Sequence, residues 1–167
     1  MTQDRSGTVV VGVDGSPASV AALALALREA YEQHHTVEVV TVWTAPAVTR
    51  TRDNGLFLAR AARRRALRVQ TLATSRSERL AGTGVPVTGV LLDGDPADIL
   101  IQASGDAARL VLGSSRTRTR DGAPAGSVVR RCLTEAACPV LVVPDDAVEG
   151  TAADSSTYRG GLSHVGT

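Results

Sequence analysis

The chain contains no lysine, and this absence excludes several kinds of site. All 18 of its Lys-plus-Arg positions are arginine, and 17 acidic residues leave a formal net charge of +1 over 167 residues. A Walker A phosphate loop needs Gly-Lys-Ser or Gly-Lys-Thr, so that loop cannot be built here. A phosphorelay receiver site also needs a lysine, together with a second acid beside Asp14, and both are missing.

Long apolar runs, excess charge and a metal-ligand cysteine pattern are missing as well. No segment approaches the ~18 apolar residues of a membrane span, and the start MTQDRSGTVVVGVDGS shows no signal-peptide pattern. A near-neutral chain is not expected to coat nucleic acid through bulk charge. The two cysteines, Cys132 and Cys138, are interpreted as reduced residues in or near the core. These features predict a cytoplasmic protein without membrane or nucleic-acid partners.

Five short apolar runs alternate with helical patterns along the chain. The predicted strands are residues 8–13, 37–43, 85–92, 110–112 and 139–143. Ser16-Pro17 and Asp95-Pro96 each supply a helix cap followed by a proline at the first helical position. The alternation predicts an α/β fold with a single doubly wound layer, a five-stranded parallel sheet of order 3-2-1-4-5 and helices on both faces. Residues 1–144 form the predicted domain, and residues 145–167 are predicted to be a mobile tail because they are rich in Gly, Ser, Thr and Asp.

The second predicted helix is long, amphipathic and unusually basic. Its apolar stripe recurs at three- and four-residue steps from Leu58 to Ala73. Five arginines mostly point away from that stripe: Arg60, Arg63, Arg64, Arg65 and Arg68. This face is interpreted as a solvated surface, and contact with nucleic acid or an anionic surface is the open alternative.

A ligand crevice is predicted between the first and fourth strands. Ligands of such sheets bind at the carboxyl ends of strands, where the strand order reverses, and here Asp14 and Gly113 would face each other. The loop after Gly113 contains Arg116 and two further arginines, and it ends at Gly126-Ser127 before a helix. That helix start would offer unpaired N–H groups and a hydroxyl to an anion. A plain surface turn remains the alternative.

Three stretches of the chain carry recognisable motifs. They are VVVGVDGSPAS near the start, DGDPADIL before the third predicted helix, and GSVVRRCLTEAACPVLVV at the end of the predicted domain. Together they resemble the universal stress protein family over residues 6–144. ATP-binding members of that family carry Gly-x2-Gly-x9-Gly-Ser/Thr after the fourth strand. Gly113, Gly126 and Ser127 match this spacing, whereas Arg116 stands at the second glycine.

The resemblance implies a role for each matching position. Asp14 would contact the ribose or adenine side of ATP, and Val42 would line the adenine. Gly113, Gly126 and Ser127 would hold the phosphates, with Mg²⁺ brought by the nucleotide. The resemblance also implies a homodimer that pairs through the last strand, which is an apolar edge in the predicted order.

The residues themselves leave other interpretations open. Asp14 could be only a turn-forming residue, and Val42 only a core contact at a strand end. The favoured function is a cytoplasmic, ATP-binding regulatory protein of the stress response that acts as a dimer. The alternative is a dimeric interaction module that has lost nucleotide binding, for which Arg116 is the main support. Enzymatic activity beyond slow, incidental ATP hydrolysis is not expected, because no general base is identifiable.

Overall fold

A twisted parallel sheet organises the chain in the computed structural model, which describes residues 5–45, 55–114 and 126–144. Its strands are β1 (Thr8–Gly12), β2 (Thr36–Trp43), β3 (Val87–Asp93), β4 (Arg109–Ser114) and β5 (Val140–Pro144). The helices are α1 (Pro17–Gln33), α2 (Gly55–Ala81), α3 (Pro96–Ala103) and α4 (Ser127–Glu135). The strand order is β3-β2-β1-β4-β5, with every described pairing parallel. The predicted fold class and strand order are confirmed.

The central strand explains why the first apolar run shows no alternation with polar residues. Val9 and Val11 of β1 belong to the core cluster that includes residues of α1 and α2. Val10 points to the other face and packs in the cluster that contains Leu100 of α3 and Val129 of α4. A strand covered by helices on both faces is apolar at every position. The sheet therefore places α1 and α2 on one face and α3 and α4 on the other.

Helices α1 and α3 begin where their capping residues predict. The Ser16 hydroxyl accepts a hydrogen bond from the backbone N–H of Ser19 at 3.2 Å, and Pro17 occupies the first helical position. A carboxylate oxygen of Asp95 accepts hydrogen bonds from the N–H groups of Ala97 and Asp98. Such caps satisfy backbone donors that have no partner inside the helix. Each of these helices follows the carboxyl end of a strand after a short turn.

Several predicted strand ends are displaced by one or two residues. Strand β3 begins at Val87, after Pro86, whereas the prediction began at residue 85. A proline lacks the N–H that a ladder requires and is confined to strand ends or edges. Helix α4 runs from Ser127 to Glu135, and Ala136 follows it in an extended conformation with φ −67° and ψ 139°.

Helix α2 is fixed to the rest of the protein by polar contacts as well as apolar ones. The Ser77 hydroxyl is fully buried and donates to the carbonyl oxygen of Val20 in α1 at 3.0 Å. The buried Gln70 amide nitrogen donates to the carbonyl oxygens of Val39 and Val90, at 3.1 and 2.9 Å. These contacts set which face of α2 points away from the sheet. Among the described residues, no helix is both long and apolar enough to cross a membrane.

Candidate functional site

A cavity of about 410 Å³ opens at the carboxyl ends of β1 and β4. These two strands are neighbours at the centre of the sheet. The strand that follows β1 in the sequence, β2, lies on one side of this pair, and the strand that follows β4, β5, lies on the other side. The strand order therefore reverses at this point, which is where open α/β sheets bind ligands. A volume of this size suits a small organic ligand.

Each described residue of the predicted site lines this one cavity: Asp14, Val42, Gly113, Gly126 and Ser127. They come from the turn after β1, the end of β2, the end of β4 and the start of α4. Residues up to 113 positions apart in the sequence are therefore brought together. Arg116, the sixth predicted residue, lies outside the described residues.

Asp14 lies two residues beyond the end of β1, in the turn that leads into α1. The backbone N–H of Ser16 donates to its Oδ1 at 2.9 Å. Desolvation by the surrounding protein acts to raise the pKa of the Asp14 carboxyl, but hydrogen bonding from Ser16 and Ser19 outweighs it and lowers the pKa below its ordinary value. Asp14 therefore forms the turn that its residue type predicts and also presents an ionised carboxylate at the cavity, where it can accept hydrogen bonds from hydroxyl or amino groups.

The start of α4 gives the cavity a set of backbone donors. Gly126, with φ 133°, is the residue that caps α4. It has no side chain that could accept a hydrogen bond from the N–H groups of the first turn. The N–H of Arg130 donates to the carbonyl oxygen of Gly126 at 3.1 Å, so the N–H groups of residues 127–129 precede the first intrahelical bond. Together with the helix dipole, such a terminus favours an anion. The exposed Ser127 side chain adds a hydroxyl at the same place.

Gly113 lies against the first turn of α1. A Cβ atom built at Gly113 would lie 2.3 Å from the carbonyl carbon of Ala18 and 2.5 Å from the backbone N of Ser19. The family resemblance implies that this glycine helps to hold phosphate. The structure shows that the close approach is made by the backbone of the chain's own helix, and that Gly113 still borders the cavity.

An apolar group of side chains forms the other part of the cavity lining. It comprises Val13, Val40, Val42, Pro96, Leu100 and Val129. Val42 also packs against the core cluster below it, so its two predicted roles are compatible. A cavity that combines apolar side chains with a few convergent polar groups is typical of small-molecule sites.

Sequence reasoning missed several residues that line the cavity. Ser16 caps α1, Ser19 lies in its first turn, and Pro96 and Leu100 come from α3. Ser16 and Pro96 could have been found from the strand-end rule, because each begins a helix directly after a strand. Leu100 could not, since its place depends on how α3 packs against the sheet.

Asp14 is the only charged side chain among the described residues that line the cavity. Farther out, the Arg131 guanidinium of α4 contacts Asp95 at 3.1 Å and Asp98 at 2.6 Å, both at the start of α3. These ion pairs tie the two helix starts that border the cavity to each other. No group of three or more His, Cys, Asp or Glu side chains in the described part of the chain could hold a metal ion.

Comparison with known proteins identifies the family. The profile of the universal stress protein family matches residues 6–144. A curated universal stress protein from Mycobacterium tuberculosis is 34% identical over 139 residues, which are 80% of this chain and 44% of that relative. The chain therefore belongs to the universal stress protein family, and it spans less than half the length of the curated relative it matches.

Solved structures of the same family share the fold. A family protein from Burkholderia pseudomallei is 28% identical, with a TM-score of 0.63 and coverage of 84% of this chain and 97% of that one. A universal stress protein in complex with cAMP is 22% identical, with a TM-score of 0.62 and coverage of 81% and 95%. A family protein from Arabidopsis thaliana with AMP bound is 21% identical, with a TM-score of 0.51 and coverage of 88% and 96%.

Proposed function

We propose that the cavity binds an adenine nucleotide, ATP with Mg²⁺, and that the protein is a regulatory protein of the stress response in the cytoplasm. The observation that carries the proposal is the convergence of three kinds of group on one cavity. These are the free N–H groups at the start of α4, the ionised Asp14 and the apolar group around Val42. A nucleotide needs a partner for its phosphates, its ribose and its base, and the cavity offers one for each.

The arrangement assigns a part of the ligand to each side of the cavity. Phosphate oxygens would accept hydrogen bonds from the N–H groups of residues 127–129 and from the Ser127 hydroxyl. Asp14 would accept hydrogen bonds from ribose hydroxyls or from the adenine amino group. The base would pack against Val42 and its apolar neighbours. The described residues that line the cavity include no cationic side chain. Mg²⁺ bound to the phosphates would therefore neutralise part of their negative charge.

The related structures support the adenine part of this proposal. Two proteins of the same fold carry cAMP and AMP, which share the adenosine moiety of ATP. The choice of ATP rests on the spacing of Gly113, Gly126 and Ser127, which resembles the pattern of ATP-binding family members. Arg116 at the second glycine of that pattern is a departure from it.

Calorimetric titration with Mg-ATP tests the proposal directly. We expect saturable binding of one nucleotide per chain, and Ser127→Ala should weaken it by up to about tenfold because it removes one hydrogen bond. Gly126→Asp should weaken binding more strongly, since it brings a negative charge to the phosphates and strains a backbone with φ 133°.

The matched control for the second variant is Gly82→Asp. Gly82 also has a positive φ, of 65°, but a Cβ there would meet no atom within 4 Å and the residue does not line the cavity. This variant carries the same added charge and should bind ATP as the native chain does. No binding at millimolar ATP, or equal weakening by Gly82→Asp, would contradict the nucleotide proposal.

We further propose that the protein is a homodimer that pairs through β5. This strand ends the sheet, and its register pairs Leu110 with Val140 and Val111 with Leu141. The N–H of Leu110 donates to the carbonyl oxygen of Pro139, so in a parallel ladder the N–H of Val142 points away from β4. An apolar edge with outward donors is suited to pairing with a second copy.

Val142→Pro tests the dimer without breaking the ladder to β4. Proline is tolerated on an edge strand where its missing N–H would face outward, and it blocks pairing there. Light scattering should give about twice the chain mass for the native protein and a shift toward monomer for the variant. A native protein that stays monomeric at micromolar concentration would contradict this proposal.

A nucleotide-free interaction module is the second candidate, and Arg116 is the observation that favours it. Arg116→Gly restores the glycine of the family pattern. If the native chain ignores ATP and this variant binds it, the interaction module is the correct function. If both bind within about tenfold of each other, the nucleotide proposal stands.

A further inference from the structure

Helix α2 contains more arginines than any other helix or strand of the described structure. It contains seven arginines and a single acid, Glu78, although the whole chain has a net charge of only +1. The arginines are Arg60, Arg63, Arg64, Arg65, Arg68, Arg76 and Arg79, and all seven side chains are exposed. Residues 55–77 contain no acid at all. The charge is therefore unbalanced over most of the helix.

The arginine side chains of α2 do not stabilise the described part of the protein through polar contacts. Within residues 5–45, 55–114 and 126–144, no hydrogen bond or ion pair engages the side chain of any arginine of α2. Most of the described arginines outside α2 do make such contacts: Arg5 pairs with Glu38, Arg109 with Glu29, and Arg28 donates to the carbonyl oxygen of Leu80. Outside α2, only Arg130 among the described arginines lacks one, so α2 is distinguished by the number of its arginines without a partner.

Three of these arginines also repel one another along the helix. Arg60 and Arg64, and Arg64 and Arg68, are four residues apart, a spacing at which like charges destabilise a helix. What holds α2 in place lies on its opposite side, where Ala66 and Ala73 are buried beside Gln70 and Ser77. The arginines are thus not explained by folding.

Large apolar side chains lie among the arginines on the same outward side. Leu56 is 62% exposed, Phe57 66% and Leu72 72%. We call this surface the arginine face, and its residues are Phe57, Arg60, Arg64, Arg65, Arg68 and Leu72. A partner that fits it must accept positive charge and apolar groups together.

We propose that the arginine face docks on an anionic lipid bilayer, with α2 lying in the plane of the membrane surface. Guanidinium groups pair with lipid phosphates, and Phe57 and Leu72 enter the boundary between headgroups and acyl chains. Clusters of four to eight basic residues on an amphipathic helix are typical of binding to anionic lipid. A nucleic-acid backbone would satisfy the arginines but leave Phe57 and Leu72 in water. The lipid surface is therefore the better match.

Docking through this face leaves the nucleotide cavity accessible. No residue of α2 is among the described residues that line the cavity. The proposal consequently does not depend on nucleotide binding. The two can be tested on the same protein with separate readouts.

Flotation of the full-length protein with lipid vesicles tests the proposal. We expect binding to vesicles of phosphatidylcholine with phosphatidylglycerol, no measurable binding to phosphatidylcholine alone, and release by salt because the contact is partly electrostatic. Arg64→Gln should lower the partition coefficient about fivefold, the contribution of one basic residue near an anionic surface. Phe57→Ser should lower it as well, without changing the net charge.

Arg130→Gln is the matched control, because Arg130 is an exposed arginine on α4 with no ion pair among the described residues. It removes the same charge from the other face of the sheet and should leave the partition coefficient unchanged within about twofold. Circular dichroism confirms that each variant is folded. Equal loss with Arg130→Gln, equal binding to neutral vesicles, or no binding to anionic vesicles at low salt would overturn the proposal. Binding of a DNA duplex that depends on Arg64 but not on Phe57, with no vesicle binding, would identify a nucleic-acid surface and overturn it too.

Discussion

Gly113→Ala is the substitution whose effect the structure predicts most sharply. The added Cβ would lie 2.3 Å from the carbonyl carbon of Ala18, 2.5 Å from its oxygen and 2.5 Å from the backbone N of Ser19. All three are backbone atoms at the start of α1, so no side chain can rotate away to make room. Either α1 moves off β4 or the end of β4 bends.

The expected cost lies at the upper end of the range for overpacking, about 3 kcal/mol in the free energy of unfolding. With a urea dependence of about 2 kcal/mol per M, the midpoint of unfolding should fall by about 1.5 M. The same shift moves Ser16 and Ser19 relative to β4, so the variant should also bind nucleotide more weakly at temperatures where it is still folded.

Gly84→Ala is the control for this substitution. Its Cβ would meet no atom within 4 Å, and Gly84 does not have a positive φ. Alanine there should be neutral or stabilising by up to about 1 kcal/mol, because it restricts the unfolded chain. If Gly113→Ala unfolds at the same urea concentration as the native protein, the packing of α1 on β4 described here is wrong.

Three smaller predictions concern single side chains. Ser77→Ala should cost about 1 kcal/mol in urea unfolding, because it removes the buried hydrogen bond to Val20, and Ser75→Ala should cost nothing measurable. Asp95→Ala should lower the free energy of unfolding by about 1 kcal/mol, because it removes the cap of α3. Asp98→Ala should lower it by less, because the ion pair of Asp98 with Arg131 is exposed. Equal losses of stability in the two variants would refute this ranking. The folded protein holds the pKa of Asp14 below its ordinary 3.8, because hydrogen bonds outweigh burial. The native chain should therefore be more stable than Asp14→Asn above that pH and lose the advantage as the pH falls below it, and a pH-independent difference would refute the assignment.

The strand order and most of the site could be predicted from the sequence because both follow from local signals. Caps such as Ser16 and Asp95 mark helix starts, and alternation of strands and helices limits the topology to a few arrangements. Once the order is known, the strand-end rule places Asp14 and Gly113 at one crevice. These inferences need no knowledge of side-chain packing.

The parts that could not be predicted depend on contacts between distant residues. The reason for a glycine at position 113 is the backbone of Ala18, 95 positions earlier, and nothing near Gly113 in the sequence indicates it. Leu100 reaches the cavity because α3 packs beside β2 and β1. The unpaired arginines of α2 could be recognised as exposed from their spacing, but only the structure shows that their neighbours offer them no partner.

We propose that an adenine nucleotide binds between the turn after β1 and the start of α4. An amide NMR titration of the nitrogen-labelled protein with Mg-ATP tests this proposal directly. We expect saturable shifts concentrated at residues 12–14, at Gly113 and at residues 126–129, with little change in β5 or in the second half of α2. Absence of any shift at millimolar ATP, or saturable shifts centred away from the cavity, would contradict it.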